Sequence, residues 1–193
     1  MPETAGYILV GGKSSRFGED KALLEWQGQR LAAHVAGGVE AAAGSATLVG
    51  SIEKYQHLGY RVIPDPVDGF GPLAGLLAAL DDSTSSWNLV VACDMPHLRQ
   101  KFLEFLLSEA RKSTADVVLP VGPEGRTEPL CAVYALRGLA TIRHAVGNGV
   151  HKMTRGFEGL TIREIHPREY QQFNRDGKLF TNLNSPQDVP AGI

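Results

Sequence analysis

The sequence predicts an α/β fold of three layers, a mainly parallel sheet flanked by helices. Three observations carry this. Short apolar runs alternate with segments of helical period along the first 120 residues, and the runs are closed by Gly, Pro or Asp. With 193 residues and 43% hydrophobic content, the chain can bury one substantial core. The expected organisation is one domain over residues 1–193, with a nucleotide-binding half to about residue 120 and an acceptor-binding half over 121–193.

The elements follow in order. GYILV, residues 6–10, is an apolar run ended by Gly11 and Gly12, as in a buried parallel strand that feeds a loop. That loop runs to Lys21. Residues 30–43, RLAAHVAGGVEAAA, keep helical spacing although Gly37 and Gly38 weaken it, and ATLVG at 46–50 is the next strand, completing a βαβ unit. YRVIPD (60–65) reads as a strand, PLAGLLAALDD (72–82) as a helix and NLVVACD (88–94) as a strand bounded by Pro96. KFLEFLLSEARK (101–112) is an amphipathic helix and DVVLP (116–120) a strand. Beyond Gly122 the regularity fades: VGPEGRTEPL is a turn-rich loop, LCAVYAL (130–136) a strand, LATIRHAV (139–146) a helix and TIREI (161–165) a strand, with FTNLNSPQDV as a terminal segment.

Composition narrows the function classes. The formal charge is -2 and no Lys/Arg block stands out, so a nucleic-acid surface is not expected. No apolar run approaches the roughly 20 residues that cross a bilayer, and the start MPETAGYILV lacks the basic region of a signal peptide. A cytoplasmic protein is expected. Cys93 and Cys131 sit in apolar runs without metal-ligand spacing and read as buried thiols.

The stretch YILVGGKSSRFGEDK contains Gly-Gly-Lys-Ser, yet it is no Walker loop. The position five before Gly12 is Tyr7, which belongs to the strand, so the loop is too short to wrap a phosphate chain in that way. A dinucleotide fingerprint fails too, because the glycines fall at 11, 12 and 18. What remains is a strand opening through two small residues into a loop with Lys13, Ser14, Ser15, Arg16 and Lys21. Arg16 and Lys21 are the cations suited to hold a triphosphate and to offset charge on a departing pyrophosphate. The bland alternative is a solvated polar loop.

Asp94 ends the strand 88–94 and is expected at the same sheet edge as Gly11 and Gly12. A carboxylate there is a ready Mg²⁺ ligand beside phosphates; its structural alternative is a capping Asp. Asp65 follows another strand and precedes Gly71-Pro72, where a ligand can approach a helix N-terminus. A carboxylate can accept two hydrogen bonds from the N1–H and amino edge of guanine, and the alternative is a turn Asp between two prolines. Met95 reads as packing. His97, His144 and His151 have no partner that the sequence places and read as surface or loop residues. Arg126, Lys152 and Arg155 either line an acceptor side or are solvated.

These residues together resemble a known family. LVGGKSSRFGEDKALL resembles the nucleotidyltransferase signature [LA]-x-G-G-x-[ST]-x-R-[MF]-G-x-D-K, and GPLAGL, CDMP and NLNSP are similar to motifs of the molybdenum cofactor guanylyltransferases. The resemblance spans Leu9 to Pro186. It implies a Rossmann-like fold of the nucleotide-diphospho-sugar transferase type, and Mg²⁺-dependent transfer of GMP from GTP to the terminal phosphate of molybdopterin. The products would be molybdopterin guanine dinucleotide and pyrophosphate, with molybdoenzymes or chaperones as possible further partners. Residue by residue, it implies GTP contacts at Leu9, Val10, Gly11, Lys21, Asp65 and Asp94, with Asp94 also the metal ligand. Gly12 and Arg16 match the signature, and Asn182 and Asn184 match an Asn-x-Asn near the pterin pocket.

Two positions depart from the pattern. Val10 stands where alanine is usual, implying added bulk beneath the nucleotide. Gly50 stands about where some members carry an asparagine that contacts GTP, so that contact is expected to be missing. No general base is required, since a phosphate monoester is already anionic near neutral pH and positioning with electrostatics suffices. Alternatives are a related transferase using CTP or a sugar-phosphate acceptor, and a non-catalytic GTP-binding module.

Overall fold

The computed structural model describes residues 3–10, 20–66, 69–183 and 188. Along the chain run β1 (Thr4–Leu9), a 3-10 turn (Lys21–Leu23), β2 (Glu25–Trp26), β3 (Gln29–Arg30), α1 (Leu31–Ala43), β4 (Thr47–Val49) and α2 (Ile52–Tyr55). Then come β5 (Arg61–Ile63), α3 (Pro72–Asp82), β6 (Trp87–Ala92), α4 (Gln100–Lys112), β7 (Val117–Pro120), β8 (Cys131–Ala135), α5 (Leu139–Gly147), α6 (Met153–Gly156), β9 (Ile162–Ile165) and α7 (Pro167–Tyr170). Every strand and helix expected from the sequence is present. The hairpin β2–β3 and the four-residue helices α2, α6 and α7 add to that expectation, being shorter than any window over which periodicity can be read.

The main sheet has the order β5-β4-β1-β6-β8-β7-β9. All neighbours are parallel except β8, which is antiparallel to both β6 and β7. The expectation of a mainly parallel sheet between helices therefore holds, with one reversed strand. Side chains alternate between two apolar layers as strand geometry requires. On β1 and just beyond it, Tyr7 and Leu9 join one layer and Ile8 and Val10 the other. On β8, Cys131, Val133 and Ala135 share the second layer, and Ala132 and Tyr134 the first. Helices α1 and α4 cover one face, while α3, α5 and α6 cover the other.

Burial on both faces is what makes these strands near-continuous apolar runs. At Gly6 the approach to α1 is closest: a Cβ there would lie 2.3 Å from Val39 Cγ1 and 2.4 Å from the Ser45 carbonyl oxygen. Gly71 precedes α3 with φ 103, a conformation natural to glycine, and Pro72 opens the helix behind it. Both cysteines are free and buried, as expected, and Met95 is a core residue. Among the described residues, no helix is long and apolar enough to cross a membrane.

Candidate active site

Strand order reverses at β1: the chain passes from β1 outward to β4 and β5, then crosses to β6 on the other side. In open α/β sheets the crevice at the carboxyl ends beside such a switch point is where ligands bind. Here β1 and β6 run in register to their ends, Leu9 opposite Ala92, and the Cys93 N–H continues the ladder onto the Leu9 carbonyl at 3.2 Å. The Val10 N–H is bound on the opposite side by Val49 O at 3.1 Å. Val10 and Asp94 thus leave adjacent strands at one edge.

Lys21 reaches this edge from the turn Lys21–Leu23, whose start is capped by Asp20: Oδ1 accepts from Ala22 N–H at 3.1 Å. Its ammonium lies 3.8 Å from Asp94 Oδ2 and donates to the Leu183 carbonyl at 2.7 Å. The Leu183 N–H in turn donates to the Asp94 carbonyl at 2.9 Å. Lys21, Asp94 and the main chain of Leu183 therefore form one node. Both charged side chains are largely withdrawn from water, at 20% and 26% exposure. Burial pushes the Asp94 carboxyl above its ordinary range, opposed by the pull of Lys21. A carboxylate in that state gains from any further cation brought to it.

Asp65 follows β5 and is half-buried, two strands from β1 on the side away from Asp94. It thus shares the carboxyl edge with Asp94. The two departures at Val10 and Gly50 turn out to be one packing arrangement. Val10 is 3% exposed, and its Cγ2 lies 2.8 Å from where a Cβ on Gly50 would sit. The valine packs into the core layer over Gly50. The Tyr55 ring closes the same space, 3.0 Å from that position, so no side chain fits at residue 50.

Next to Leu183 in the chain, Asn182 carries a buried Oδ1 without a hydrogen-bond partner, an unmet acceptor. Gly11, Gly12, Lys13, Ser14, Ser15, Arg16 and Asn184 lie outside the described residues. Arg126 is 83% exposed beside Glu124, and Lys152 and Arg155 are exposed, so these three are solvated. The histidines have partners the sequence does not reveal. His97 is half-buried edge-on against Trp26, His144 pairs with Asn148 Nδ2 at 2.9 Å, and His151 stacks on Phe70 and meets its carbonyl at 2.8 Å. No triad arises from them. Among the described residues, no three or more His, Cys, Asp or Glu gather as a metal cluster. Burial pushes the Cys93 thiol up to about 12, which removes it as a nucleophile at neutral pH.

Sequence reasoning misses Asp20, Tyr55 and the backbone of Leu183. Asp20 is visible inside the Asp-Lys pair; the other two leave no signal in the chain.

Residues 6–160 match the family described as "MobA-like NTP transferase domain". A relative from Deinococcus radiodurans described as "Probable molybdenum cofactor guanylyltransferase" is 40% identical over 191 residues, 98% of this chain and 93% of that protein. The crystal structure of molybdopterin-guanine dinucleotide biosynthesis protein A from Archaeoglobus fulgidus superposes with a TM-score of 0.83 at 26% identity, covering 96% of this chain and 94% of that one. A 2-C-methyl-D-erythritol 4-phosphate cytidylyltransferase from Thermus thermophilus, 15% identical, shares the fold alone, with a TM-score of 0.67 over 95% of this chain and 94% of that one. With the sheet order, the edge node and these likenesses together, the chain belongs to the MobA-like NTP transferase family.

Proposed function

We propose that this chain is a molybdenum cofactor guanylyltransferase, moving GMP from GTP onto the terminal phosphate of molybdopterin and releasing pyrophosphate. The observation that carries the reading is the meeting of Lys21 and Asp94 at the joined ends of β1 and β6. The donor lies along the carboxyl edge, its base toward Asp65 beyond β4 and its phosphates over Leu9, Val10, Gly11, Gly12 and Gly71. Residues to about 120 bind the donor, and residues 121–193, including Asn182 and Asn184, bind the acceptor within the same domain.

Asp94 fits a divalent cation such as Mg²⁺, being one partly buried carboxylate whose charge burial disfavours; such an ion commonly takes one or two carboxylates and fills its shell with phosphate and water. Bound there it would neutralise charge on phosphate oxygens. The chain's own residues do the remainder. Lys21 and Arg16 bind the triphosphate and favour the charge that gathers on pyrophosphate as it leaves. Asp65 accepts from the N1–H and amino group of guanine. The acceptor phosphate, already anionic, attacks the α-phosphorus in line, so no side chain needs to remove a proton. The free, buried thiols fit a reducing cytoplasm, where we place the reaction.

Pyrophosphate release with GTP, CTP, ATP or UTP, Mg²⁺ and either molybdopterin or a sugar phosphate tests this directly. GTP with molybdopterin should dominate; turnover with CTP or a sugar phosphate instead would replace the reading. In the same assay Asp65→Asn should reduce the preference for GTP over ATP by about tenfold or more, and unchanged discrimination would remove Asp65 from base reading.

A further inference from the structure

The chain leaves β1 at Val10 and reaches Lys21 through Asp20, and one phenol touches both. Tyr55, the last residue of α2, is 3% exposed. Its hydroxyl lies 2.8 Å from the Val10 carbonyl oxygen and 2.7 Å from Asp20 Oδ2. Asp20 uses its other oxygen to cap the turn that begins with Lys21, and the exposed Lys54 ammonium stands 3.7 Å away. The carboxylate thus links the phenol directly to the turn carrying the ammonium. One phenolic proton is shared between a charged and a neutral acceptor, a strong arrangement in a site shielded from water. Burial first, then the bond to Asp20, hold the phenol far above its ordinary pKa, so it stays a proton donor.

The ring is fixed before its hydroxyl bonds. Its Cε2 packs over Gly50, whose bare Cα also admits Val10 Cγ2, and the Tyr55 N–H closes the turn of α2 on the Ser51 carbonyl at 3.1 Å. A ring locked by packing holds its polar tip at a set point, and that point joins the carboxyl end of β1 to the start of the Lys21 turn. We infer that Tyr55 is a positioning residue for the donor site: it sets the spacing between Val10 and Asp20 and thereby seats the Lys21 ammonium beside Asp94. It acts through Asp20 and touches no substrate. The inference rests on the guanylyltransferase reading, in which that seat meets the donor phosphates.

Tyr55→Phe keeps the ring and removes only the hydroxyl. Calorimetric GTP binding with Mg²⁺, steady-state kinetics and thermal unfolding are measured on the full chain beside wild type. The variant should weaken GTP binding and lower kcat/KM for GTP by about tenfold to a hundredfold, as small misplacements of a charged group do, with the acceptor KM unchanged. Asp20→Asn keeps an oxygen for the turn cap but offers the phenol an amide; it should do likewise and carries the test should Tyr55→Phe not fold. The double variant should be no worse than the worse single one, because both remove the same bridge. Lys54→Ala should change GTP affinity by less than about twofold, as exposed ion pairs contribute little. Variants with a lowered Tm but wild-type GTP affinity, or losses that multiply in the double variant, would overturn the positioning role. A wild-type chain that binds no GTP would instead sink the functional reading, and this inference with it; wild-type binding matched by Tyr55→Phe sinks the inference alone.

Discussion

The two sides of the sheet bring residues to one edge by different means. On the side of β1, β4, β5 and β6 every strand runs the same way, and a strand's last residues open directly onto site positions: Val10 after β1, Asp65 after β5, Asp94 after β6. On the side of β8, β7 and β9 the strand next to β6, β8, is reversed, so its amino end arrives at that edge, where the Leu130 carbonyl accepts from the Ala92 N–H at 2.8 Å. Asn182 and Leu183 come from neither kind of strand end but from irregular chain laid across the node. In the proposed function, donor chemistry is thus drawn from strand termini with fixed spacing. The proposed acceptor side, at Asn182, lies on irregular chain tied to the node by the main-chain bonds of Leu183.

The sharpest test of that contrast is Asp94→Asn, which strikes the strand terminus shared by both sides. Turnover in the pyrophosphate assay should fall about 10³-fold. The Tm should not fall, because the native fold disfavours the charged carboxyl that the substitution removes. A second comparison sets two glycines against each other. Gly6→Ala forces a Cβ into Val39 and the Ser45 carbonyl and should cost about 2–3 kcal/mol in urea unfolding. Gly138→Ala, on the other side, meets only Leu160 at 3.6 Å and has φ -74, so it should stabilise by about 0.5 kcal/mol.

Asn182→Ala separates the sides kinetically. It should raise the acceptor KM about tenfold while GTP affinity holds, reflecting one lost hydrogen bond; a matching loss of GTP affinity would merge the two sites. The smallest effect concerns Asp82, which the Arg61 guanidinium holds below the usual carboxylate range through bonds of 2.5 and 2.6 Å. Since the folded pKa is the lower one, the pair's contribution is fully present above about pH 4 and lost as pH falls through the folded value. Arg61→Met should cost about 0.5 kcal/mol at pH 7, modest because the guanidinium is exposed, and flatten the acid limb of the stability curve below pH 4.

Much of the half proposed to bind the donor is legible in the chain because several levels agree there. Apolar runs, helical spacing and glycine-ended strands mark β1, α1, β4, β5, α3 and β6 in order, and the register of Leu9 with Ala92 brings Val10 and Asp94 to one edge, where Lys21 meets Asp94. The reversal of β8 is not legible: LCAVYAL is apolar on both faces, and such a run reads alike in either direction. Nor is the packing of Val10 legible, since Gly50, forty residues away, supplies the space that receives it. Leu183 cannot be found from sequence, since a peptide carbonyl has no signature in the side-chain alphabet.

That last contact has a consequence for how the position can vary. Leu183 itself is buried at 1% exposure, while what grips the ammonium is its peptide unit. Exhaustive replacement at residue 183 should therefore sort variants by volume and greasiness alone, insensitive to the electrostatic task performed a few bonds away. The same scan at Lys21 would punish every loss of cationic character.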